Sequence, residues 1–332
     1  MKLSAPLTVN WTLSYDCNFS CNHCYSRGLK REELPLADIL RIVDELADNR
    51  VAYINFGGGE PLMYPHLFEV TAYAAQKGLK VTMNTNGWLC TPEAAEKCKE
   101  AGFRAVGVSI DGATEEVHDW FRNRPGSFKR ALKAVENLRD AGVESTVSAV
   151  IFKKNIATYK EIVTLAAERG ASTVYLHNFK CSGRGMENRA ELDLPPGEWK
   201  EFYEDALAWR PSAPAKLAFD DPIIALLGEA SEGAVKGSTC GKLSLHIEPD
   251  GDATPCGFIP LSLGNLLTDG LKKIWNESEV LEKMRNKTAE GKCVGCSAYG
   301  ECLGGCTARS LAVTGKFNSP DPHCWREGTK PA

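Results

Sequence analysis

The sequence predicts an α/β fold built on a parallel sheet, followed by a small cysteine-rich region. Strand-like and helix-like segments alternate from the N-terminus to about residue 180. Glycines stand where the predicted helices should end, which is the usual position of a left-handed glycine after a helix. Seven of the 13 cysteines lie after residue 235. Successive β-α units of this kind imply a parallel sheet with helices outside, as either an open sheet or a partial barrel.

Six strands are predicted where β-branched and apolar residues are concentrated. They are Leu7–Ser14, Val51–Phe56, Leu79–Thr85, Phe103–Ile110, Val143–Ile151 and Ser172–Phe179. Between them, residues 36–46 and 128–138 repeat apolar side chains at the spacing of an amphipathic helix. In sheets of this class the chemistry collects at the carboxyl ends of the strands.

The chain is expected to divide into three parts. Residues 1–185 form the β-α region, residues 186–235 a connecting region, and residues 236–332 a cysteine-rich domain. The connecting region contains Pro195-Pro196, Pro211 and Pro214 and short helical pieces, so we expect it not to continue as a seventh β-α repeat.

Composition excludes several classes of function. The net charge of −4 gives no long-range attraction for nucleic acid or an anionic membrane surface. No apolar run of membrane-spanning length occurs, and Met1 to Ala5 lack the apolar core of a signal peptide, so a cytoplasmic protein is expected. In that reducing compartment, metal ligation explains 13 cysteines better than a disulfide framework does.

Two motifs follow the first two strands. Cys17, Cys21 and Cys24 form a C-x3-C-x2-C run and supply three thiolates. A [4Fe–4S] cluster normally takes four cysteines, so one iron would stay free to bind a reactive ligand. The run Gly57-Gly58-Gly59-Glu60-Pro61 lets a ligand approach the backbone closely, with a carboxylate for a cationic group; the alternative is a plain tight turn.

These two motifs resemble those of the radical S-adenosylmethionine (SAM) superfamily. The resemblance implies a (β/α)6 partial TIM barrel in which Cys17, Cys21 and Cys24 hold a cluster whose fourth iron binds SAM. It further implies that Gly58, Gly59 and Glu60 take the amino group of the SAM methionine moiety.

Later segments resemble further motifs of the same family. Ser109, at the end of the fourth strand, is expected to contact SAM, and Arg122 to hold the SAM carboxylate. A surface arginine is the alternative at position 122. Asn84 and Asn86 are expected at the nucleoside, although Asn86-Gly87 is equally a turn signal.

The C-terminal cysteines resemble the seven-cysteine SPASM domain, which carries auxiliary [4Fe–4S] clusters. In relatives with two such clusters the corresponding cysteines divide into two sets, Cys293, Cys296, Cys302 and Cys324 in one and Cys240, Cys256 and Cys306 in the other. The resemblance therefore implies three clusters, of which one binds SAM. The alternative is zinc, for which C-x2-C pairs are common ligands.

The chain departs from the family pattern in two places. Relatives with a fully ligated first auxiliary cluster have a cysteine where this chain has Ala234, so the cluster of the Cys240 set is expected to have either an open iron or a non-cysteine or distant fourth ligand. Cys181 is either a substitute ligand or a free thiol. Sulfatase-maturing relatives have an aspartate after the cysteine at position 256, where this chain has Gly257-Phe258, which disfavours that activity.

The resemblance implies an enzyme that reductively cleaves SAM to a 5′-deoxyadenosyl radical and oxidatively modifies a peptide or protein, forming a thioether, a carbon–carbon crosslink or a similar bond. Reduced flavodoxin or ferredoxin is the expected electron donor. The chain begins close to its first strand, without an N-terminal peptide-recognition extension, which favours a second reading: cofactor biosynthesis, such as a haem or other tetrapyrrole step or metal-cofactor maturation. A non-catalytic electron-transfer module is the third, and the Gly-Gly-Glu segment argues against it.

Overall fold

Nine strands form one sheet in the computed structural model, which describes residues 3–231 and 236–327. The strands are β1 (Thr8–Thr12), β2 (Tyr53–Gly57), β3 (Lys80–Thr85), β4 (Ala105–Ser109), β5 (Ser145–Ile151), β6 (Thr173–Asn178), β7 (Lys216–Phe219), β8 (Ser244–Ile247) and β9 (Ala253–Thr254). Their order is β7-β6-β5-β4-β3-β2-β1-β8-β9. All neighbours are parallel except β8 and β9, which are antiparallel.

The six predicted strands are confirmed, each within two residues at either end. Their apolar side chains alternate, as in Val9 and Trp11 of β1, and these side chains are buried on one face of the sheet. That face packs against helices as one continuous core. The expected α/β partial barrel with its helices outside is therefore the observed architecture.

The helices of the β-α region follow the strands in turn. They are α1 (Leu36–Asp48), α2 (Leu67–Gln76), α3 (Pro92–Ala101), α4 (Glu115–Arg122), α5 (Ser127–Ala141) and α6 (Tyr159–Arg169). Gly102, Gly142 and Gly170 end α3, α5 and α6 in the left-handed conformation, as predicted. The hydroxyls of Thr91 and Thr114 accept from backbone N–H groups at the start of α3 and α4.

The expectation that residues 186–235 would not continue the β-α pattern is wrong. Two short helices, α7 (Arg184–Glu187) and α8 (Arg189–Leu192), precede α9 (Pro196–Trp209). Strand β7 then pairs parallel with β6, from Thr173↔Lys216 to Leu176↔Phe219. Pro195 and Pro196 lie at the start of α9, where a missing N–H costs nothing, and so they do not interrupt the repeat.

The C-terminal residues extend the same sheet. Strand β8 pairs parallel with β1, on the opposite side from β2. The remaining helices are short: α10 (Leu266–Asp269), α11 (Leu271–Glu277), α12 (Glu279–Arg285), α13 (Tyr299–Cys302) and α14 (Thr307–Thr314). None of the helices in the described ranges is long and apolar enough to cross a membrane.

The second face of the sheet is polar. Registered pairs along it include Asn10↔Asn55, Ser109↔Ser148 and Ser148↔Tyr175. Several of its side chains are partly or largely exposed, among them Asn84, Ser148 and Tyr175. We call this concave surface the inner face. It leads to the carboxyl ends of β1–β6, where the sequence motifs lie.

Candidate active site and cysteine centres

Cys17, Cys21 and Cys24 lie together in the loop after β1. Burial raises the pKa of the Cys21 thiol to about 11, and the pKa of Cys17 is raised for the same reason. The thiols act on one another electrostatically, which places them within one small region. Three cysteines in one loop fit an iron–sulfur cluster, whose irons are normally held by cysteine thiolates.

A loop after β6 holds the cysteine loop in place, and the sequence analysis missed it. The Arg184 guanidinium donates to the carbonyl and hydroxyl of Ser20, and the Arg184 backbone N–H donates to Cys24 O at 3.0 Å. The Asn188 amide donates to Asn22 O at 2.8 Å. Gly183 lies against the same backbone, where a Cβ would come within 2.8 Å of Cys24 O. The sequence signal was Gly183-Arg184-Gly185 directly after a predicted strand, at the edge where chemistry was expected.

The glycine motif after β2 packs against the same cysteine loop. Gly59 N donates to Ser14 O at 3.0 Å, and a Cβ on Gly59 would lie 2.1 Å from Asp16 O. Gly58 has a φ of +96°, and a Cβ there would meet the Thr12 side chain at 2.2 Å. Close approach therefore requires glycine at both positions, and at Gly58 the left-handed conformation requires it as well.

Glu60 is buried and its carboxylate is engaged by the protein. It accepts from Thr85 Oγ1 at 2.6 Å, Asn86 N at 2.8 Å and Leu62 N at 3.2 Å. Burial raises its pKa, while these hydrogen bonds oppose the rise. Glu60 thus joins the loops after β2 and β3, a structural role that the sequence did not reveal.

Arg122 is buried, so the surface alternative is wrong. Its Nε donates to Asp111 Oδ2 at 2.5 Å, and Asp111 Oδ1 accepts from Val150 N at 2.8 Å. Arg122 also acts on Cys21, where it opposes the burial that raises the thiol pKa. Asp111 belongs to a quoted motif but was not singled out. It fixes the guanidinium beside the cysteine loop.

Asn84 and Ser109 both lie on the inner face. Asn84 is exposed, and its Oδ1 accepts from the Ser148 hydroxyl at 3.2 Å. Asn86, in contrast, is buried: its amide donates to Asn18 Oδ1 at 2.7 Å and its own Oδ1 accepts from Trp88 N at 2.9 Å. Asn86 therefore serves the turn, while Asn84 remains accessible.

The C-terminal cysteines act on one another electrostatically in two groups. Hydrogen bonding between Cys240 and Cys256 lowers the pKa of Cys240 to about 7 and raises that of Cys256 well above its usual value. Cys306 adds to the rise at Cys256. The second group comprises Cys293, Cys296, Cys302 and Cys324. Burial and then the neighbouring thiols raise the pKa of Cys293, while burial, Asp321 and then the thiols raise that of Cys302 to about 12.

The spacing within these groups bears on the zinc alternative. A zinc site needs several ligands converging at about 2.0–2.3 Å on a single ion. Within residues 3–231 and 236–327, no three His, Cys, Asp or Glu side chains converge in this way. A cluster spans several irons, so its cysteines can lie further apart. Four thiols, as in Cys293, Cys296, Cys302 and Cys324, are the ligand set that a [4Fe–4S] cluster normally takes.

Three further positions were singled out in the sequence: Cys181, Phe258 and Ala234. The Cys181 thiol donates to Asp193 Oδ2 at 3.5 Å and is buried. The Phe258 ring packs on the Tyr25 ring, with 4.9 Å between the ring centroids. Gly257-Phe258, which replaces the aspartate of sulfatase-maturing relatives, thus contributes an aromatic contact to the cysteine loop. Ala234 lies outside the described residues.

The barrel and the C-terminal region meet through a buried ion network that sequence reasoning missed. Arg309 is 1% exposed and donates to Asp221, Asp321 and, at 2.8 Å, Asn178 Oδ1. Asp321 also accepts from the backbone N–H of Cys306 at 2.7 Å. The network therefore links the carboxyl ends of β6 and β7 to a cysteine of the C-terminal group.

These features define an α/β partial-barrel protein with a three-thiol loop at its carboxyl edge and a second cysteine-rich module. Comparison with protein families identifies the class further. Residues 11–166 match the radical SAM superfamily, and residues 239–297 match the SPASM iron-sulfur cluster-binding domain. The chain belongs to the radical SAM superfamily and carries a SPASM domain. It is a radical SAM enzyme whose cofactors are SAM and [4Fe–4S] clusters.

Similar proteins cover almost the whole chain. Mycofactocin maturase MftC of Mycobacterium tuberculosis is 34% identical, over 99% of this chain and 85% of the relative. AdoMet-dependent heme synthase of Methanosarcina barkeri is 31% identical, over 98% of this chain and 99% of the relative.

Two solved structures share the fold. Streptococcus suis SuiB bound to precursor peptide SuiA superimposes with a TM-score of 0.81 at 18% identity, over 98% of this chain and 77% of that one. Native anSMEcpe with bound AdoMet gives a TM-score of 0.77 at 20% identity, over 96% of this chain and 94% of that one.

Proposed function

We propose that this enzyme is a peptide or protein maturase that oxidatively modifies its substrate, as in thioether or carbon–carbon crosslink formation. When bound, its cofactors supply reductive cleavage of SAM to a 5′-deoxyadenosyl radical, which removes a hydrogen atom from the substrate. The observation that carries the proposal is the inner face, whose amides and hydroxyls suit a peptide backbone. Similarity to a maturase along 99% of the chain supports it.

Charge on the inner face distinguishes peptides from tetrapyrroles. Its central strand residues near the carboxyl edge are the uncharged Asn84, Ser109 and Ser148, while His177 near the end of β6 is paired with Asp220 at 3.0 Å. Lys80 and Lys216 lie at the opposite, amino-terminal ends of β3 and β7. A tetrapyrrole carries several carboxylates, which proteins hold with arginine or lysine. Among the described residues of β1–β6, Lys80 is the only lysine or arginine, and it lies away from the carboxyl edge.

We assign the three cysteine groups to three [4Fe–4S] clusters. Cys17, Cys21 and Cys24 would hold the SAM-binding cluster. One auxiliary cluster would take Cys240, Cys256 and Cys306 with an open fourth position, and the other Cys293, Cys296, Cys302 and Cys324. Within this scheme the loop after β6 fixes the backbone of the first group, and Arg309 with Asp321 fixes the position of Cys306.

The SAM site follows from the same edge of the sheet. Gly58 and Gly59 bring the backbone against the cysteine loop and, with Glu60, would orient the SAM amino group. Arg122 would face the SAM carboxylate while Asp111 holds its Nε. Asn84 and Ser109 would line the nucleoside end, since both lie on the inner face and are partly exposed.

We place the enzyme in the cytoplasm and its reductant among the flavodoxins and ferredoxins. A reducing compartment keeps thiols available for cluster assembly, and in this chain 13 cysteines are free. Neither a nucleic acid nor a membrane is part of the proposal, in keeping with the net charge of −4.

The proposed function is tested by SAM cleavage in the anaerobically reconstituted enzyme with dithionite as reductant. Methionine and 5′-deoxyadenosine should form, and peptides encoded beside this gene should lose hydrogen atoms by mass spectrometry. The triple variant Cys17→Ala, Cys21→Ala, Cys24→Ala should lose all cleavage but keep the iron of the C-terminal groups.

Cys98→Ala is the matched control, because Cys98 is buried in α3 outside every motif. It should keep both cleavage and the full iron content. Cleavage retained by the triple variant would remove these cysteines from the site, and an iron content near one cluster in the wild type would contradict the auxiliary clusters.

Cofactor biosynthesis is the second proposal, because the 31% identity to a heme synthase extends over 99% of that relative. An assay with an iron tetrapyrrole in place of the peptide separates the two. Turnover of the tetrapyrrole with no change in any peptide would select this second function.

A further inference from the structure

An exposed cationic surface lies beside the loop of Cys17, Cys21 and Cys24. The guanidinium groups of Arg124 and Arg130 each lie 4.4 Å from the ring centroid of Trp88. Arg130 also donates to Trp88 O at 3.5 Å. Both arginines are exposed. We call Trp88, Arg124 and Arg130 the arginine–tryptophan patch.

The charge of this patch is not neutralised by the protein. Within the described ranges no carboxylate forms an ion pair with Arg124 or Arg130. Neighbouring Lys129, by contrast, is paired with Glu115 at 2.8 Å. Two adjacent unpaired cations on a chain of net charge −4 form a local positive site that attracts an anionic surface.

The patch is joined directly to the cysteine loop. The Trp88 ring meets the Phe19 ring edge-on, at 5.7 Å between centroids. Phe19 N in turn donates to Cys17 Sγ at 3.5 Å. A second link runs from Asn86, two residues before Trp88, to Asn18 of the loop at 2.7 Å. One side chain therefore separates the surface indole from a thiol of the proposed SAM-binding cluster.

We propose that the arginine–tryptophan patch is the docking site of a small acidic one-electron carrier protein. This rests on the proposed function, which needs one electron per SAM cleaved. In the complex, the carrier loses one electron and the iron–sulfur site of the Cys17 loop gains it. An acidic carrier complements the two cations, and Trp88 supplies an aromatic contact of the kind enriched in protein interfaces.

A nucleic acid is a poorer occupant for the same surface. Affinity for nucleic acid rests on neutralising a series of phosphates with lysine and arginine side chains. The patch offers two arginines on a chain whose overall charge is negative. A compact partner with a limited acidic face matches its size and charge better.

The experiment measures binding of a recombinant flavodoxin to the reconstituted enzyme, by calorimetry in the absence of SAM, at two salt concentrations. Wild-type affinity should fall as salt rises. The variant Arg124→Glu, Arg130→Glu should bind at least about tenfold more weakly at low salt, since it replaces attraction by repulsion. SAM cleavage driven by dithionite should persist, because a small reductant needs no docking surface.

Arg210→Glu, Lys316→Glu is the matched control. Both residues are exposed, lie elsewhere on the chain and change the net charge equally. This control should bind flavodoxin within about twofold of wild type. An Arg124→Gln, Arg130→Gln variant, with an intermediate loss, serves if charge reversal disturbs folding.

Three results would overturn the proposal: unchanged flavodoxin affinity in the Arg124, Arg130 variants, an equal loss in the control, or tighter binding of a short RNA than of flavodoxin by the patch. Failure of the proposed function has a different signature. In that case the wild type would not cleave SAM even with dithionite, whatever its affinity for flavodoxin.

Discussion

Glu60 and Arg122 both direct their charged groups at the protein. Glu60 accepts from the loop after β3, and Arg122 donates to Asp111. Replacing either residue therefore disturbs the framework of the site as well as any contact to SAM. Weakened SAM binding in such variants has to be read together with their stability.

His118 is a residue whose burial makes stability depend on pH. Its Nδ1 accepts from Asp111 N at 3.1 Å, which requires the neutral ring. Burial lowers its pKa from 6.5 to about 4. The unfolded chain therefore binds more protons between these values, so this contribution to stability is present above pH 6.5 and lost as pH falls towards 4.

His118→Asn should flatten the pH dependence of stability. Asparagine keeps an acceptor near the Nδ1 position but does not titrate. Below pH 6.5 the wild-type free energy of unfolding should fall more steeply than that of the variant, by up to about 1.4 kcal/mol per pH unit. Anaerobic urea unfolding between pH 7.5 and pH 5.5, about a unit either side of the ring's usual pKa, measures this.

His66→Asn is the control for that comparison, because its ring is 46% exposed. The free energy of unfolding of this variant should depend on pH as steeply as that of the wild type. Identical slopes for wild type and His118→Asn would show that His118 does not remain neutral in the folded protein.

At the level of secondary-structure elements, the loop after β2 and the cysteine loop after β1 pack against each other at the carboxyl edge of the sheet. The loop after β2 approaches the cysteine loop so closely that only glycine fits at position 59. Periodicity predicted both strands, but it could not show that their loops touch. The prolines at the start of α9 led to a different error. They predict an interruption of the β-α pattern, but they lie at the beginning of a helix, where proline is tolerated.

Gly59→Ala should disrupt the apposition of these two loops. The added Cβ would lie 2.1 Å from a backbone oxygen, which cannot move away without shifting the cysteine loop. We expect a loss of about 3 kcal/mol in the free energy of unfolding and incomplete assembly of the first cluster. Thermal unfolding and iron content measure the two effects.

Gly57→Ala is the matched control in the same segment, because nothing lies within 4 Å of its added Cβ. It should keep wild-type stability and iron content. Equal losses in both variants would mean that the segment tolerates no alanine for reasons other than this contact.

At the scale of the whole molecule, strand pairing and a buried ion network join the barrel to the C-terminal cysteine-rich region. Strand β8 pairs with β1, and Arg309 joins the ends of β6 and β7 to the C-terminal region. The proposed auxiliary centre of Cys306 is thereby held at a constant position relative to the inner face. A rigid arrangement of this kind suits electron transfer between a substrate and a cluster.

Arg309→Met should destabilise the whole molecule. It removes the guanidinium that pairs with two buried carboxylates, those of Asp221 and Asp321, and leaves Asp221 with Lys180 at 3.7 Å. Loss of one member of a buried ion network costs about 3–5 kcal/mol. Anaerobic denaturation should show this loss together with a changed EPR signal from the C-terminal clusters.

Arg104→Met tests the specificity of that effect. Arg104 pairs with Glu144 on the surface at 2.8 Å, with 63% of its side chain exposed. Its loss should cost less than about 1 kcal/mol. A comparable cost for the two arginines would argue against a special role for the buried network.

The sequence by itself determined six of the strands and the main helices, and its resemblance to a known family predicts a division of the cysteines into three groups. These features depend on local periodicity and on spacing along the chain, both of which can be read in one dimension. Only the tertiary structure revealed the seventh strand, the hydrogen bonds from Arg184 to the cysteine loop, the Arg309 network and the arginine–tryptophan patch. Each of these features joins segments that are distant in sequence, and their contact depends on how the sheet and its loops pack. A local sequence pattern does not specify which distant charged group or aromatic ring a given side chain will contact.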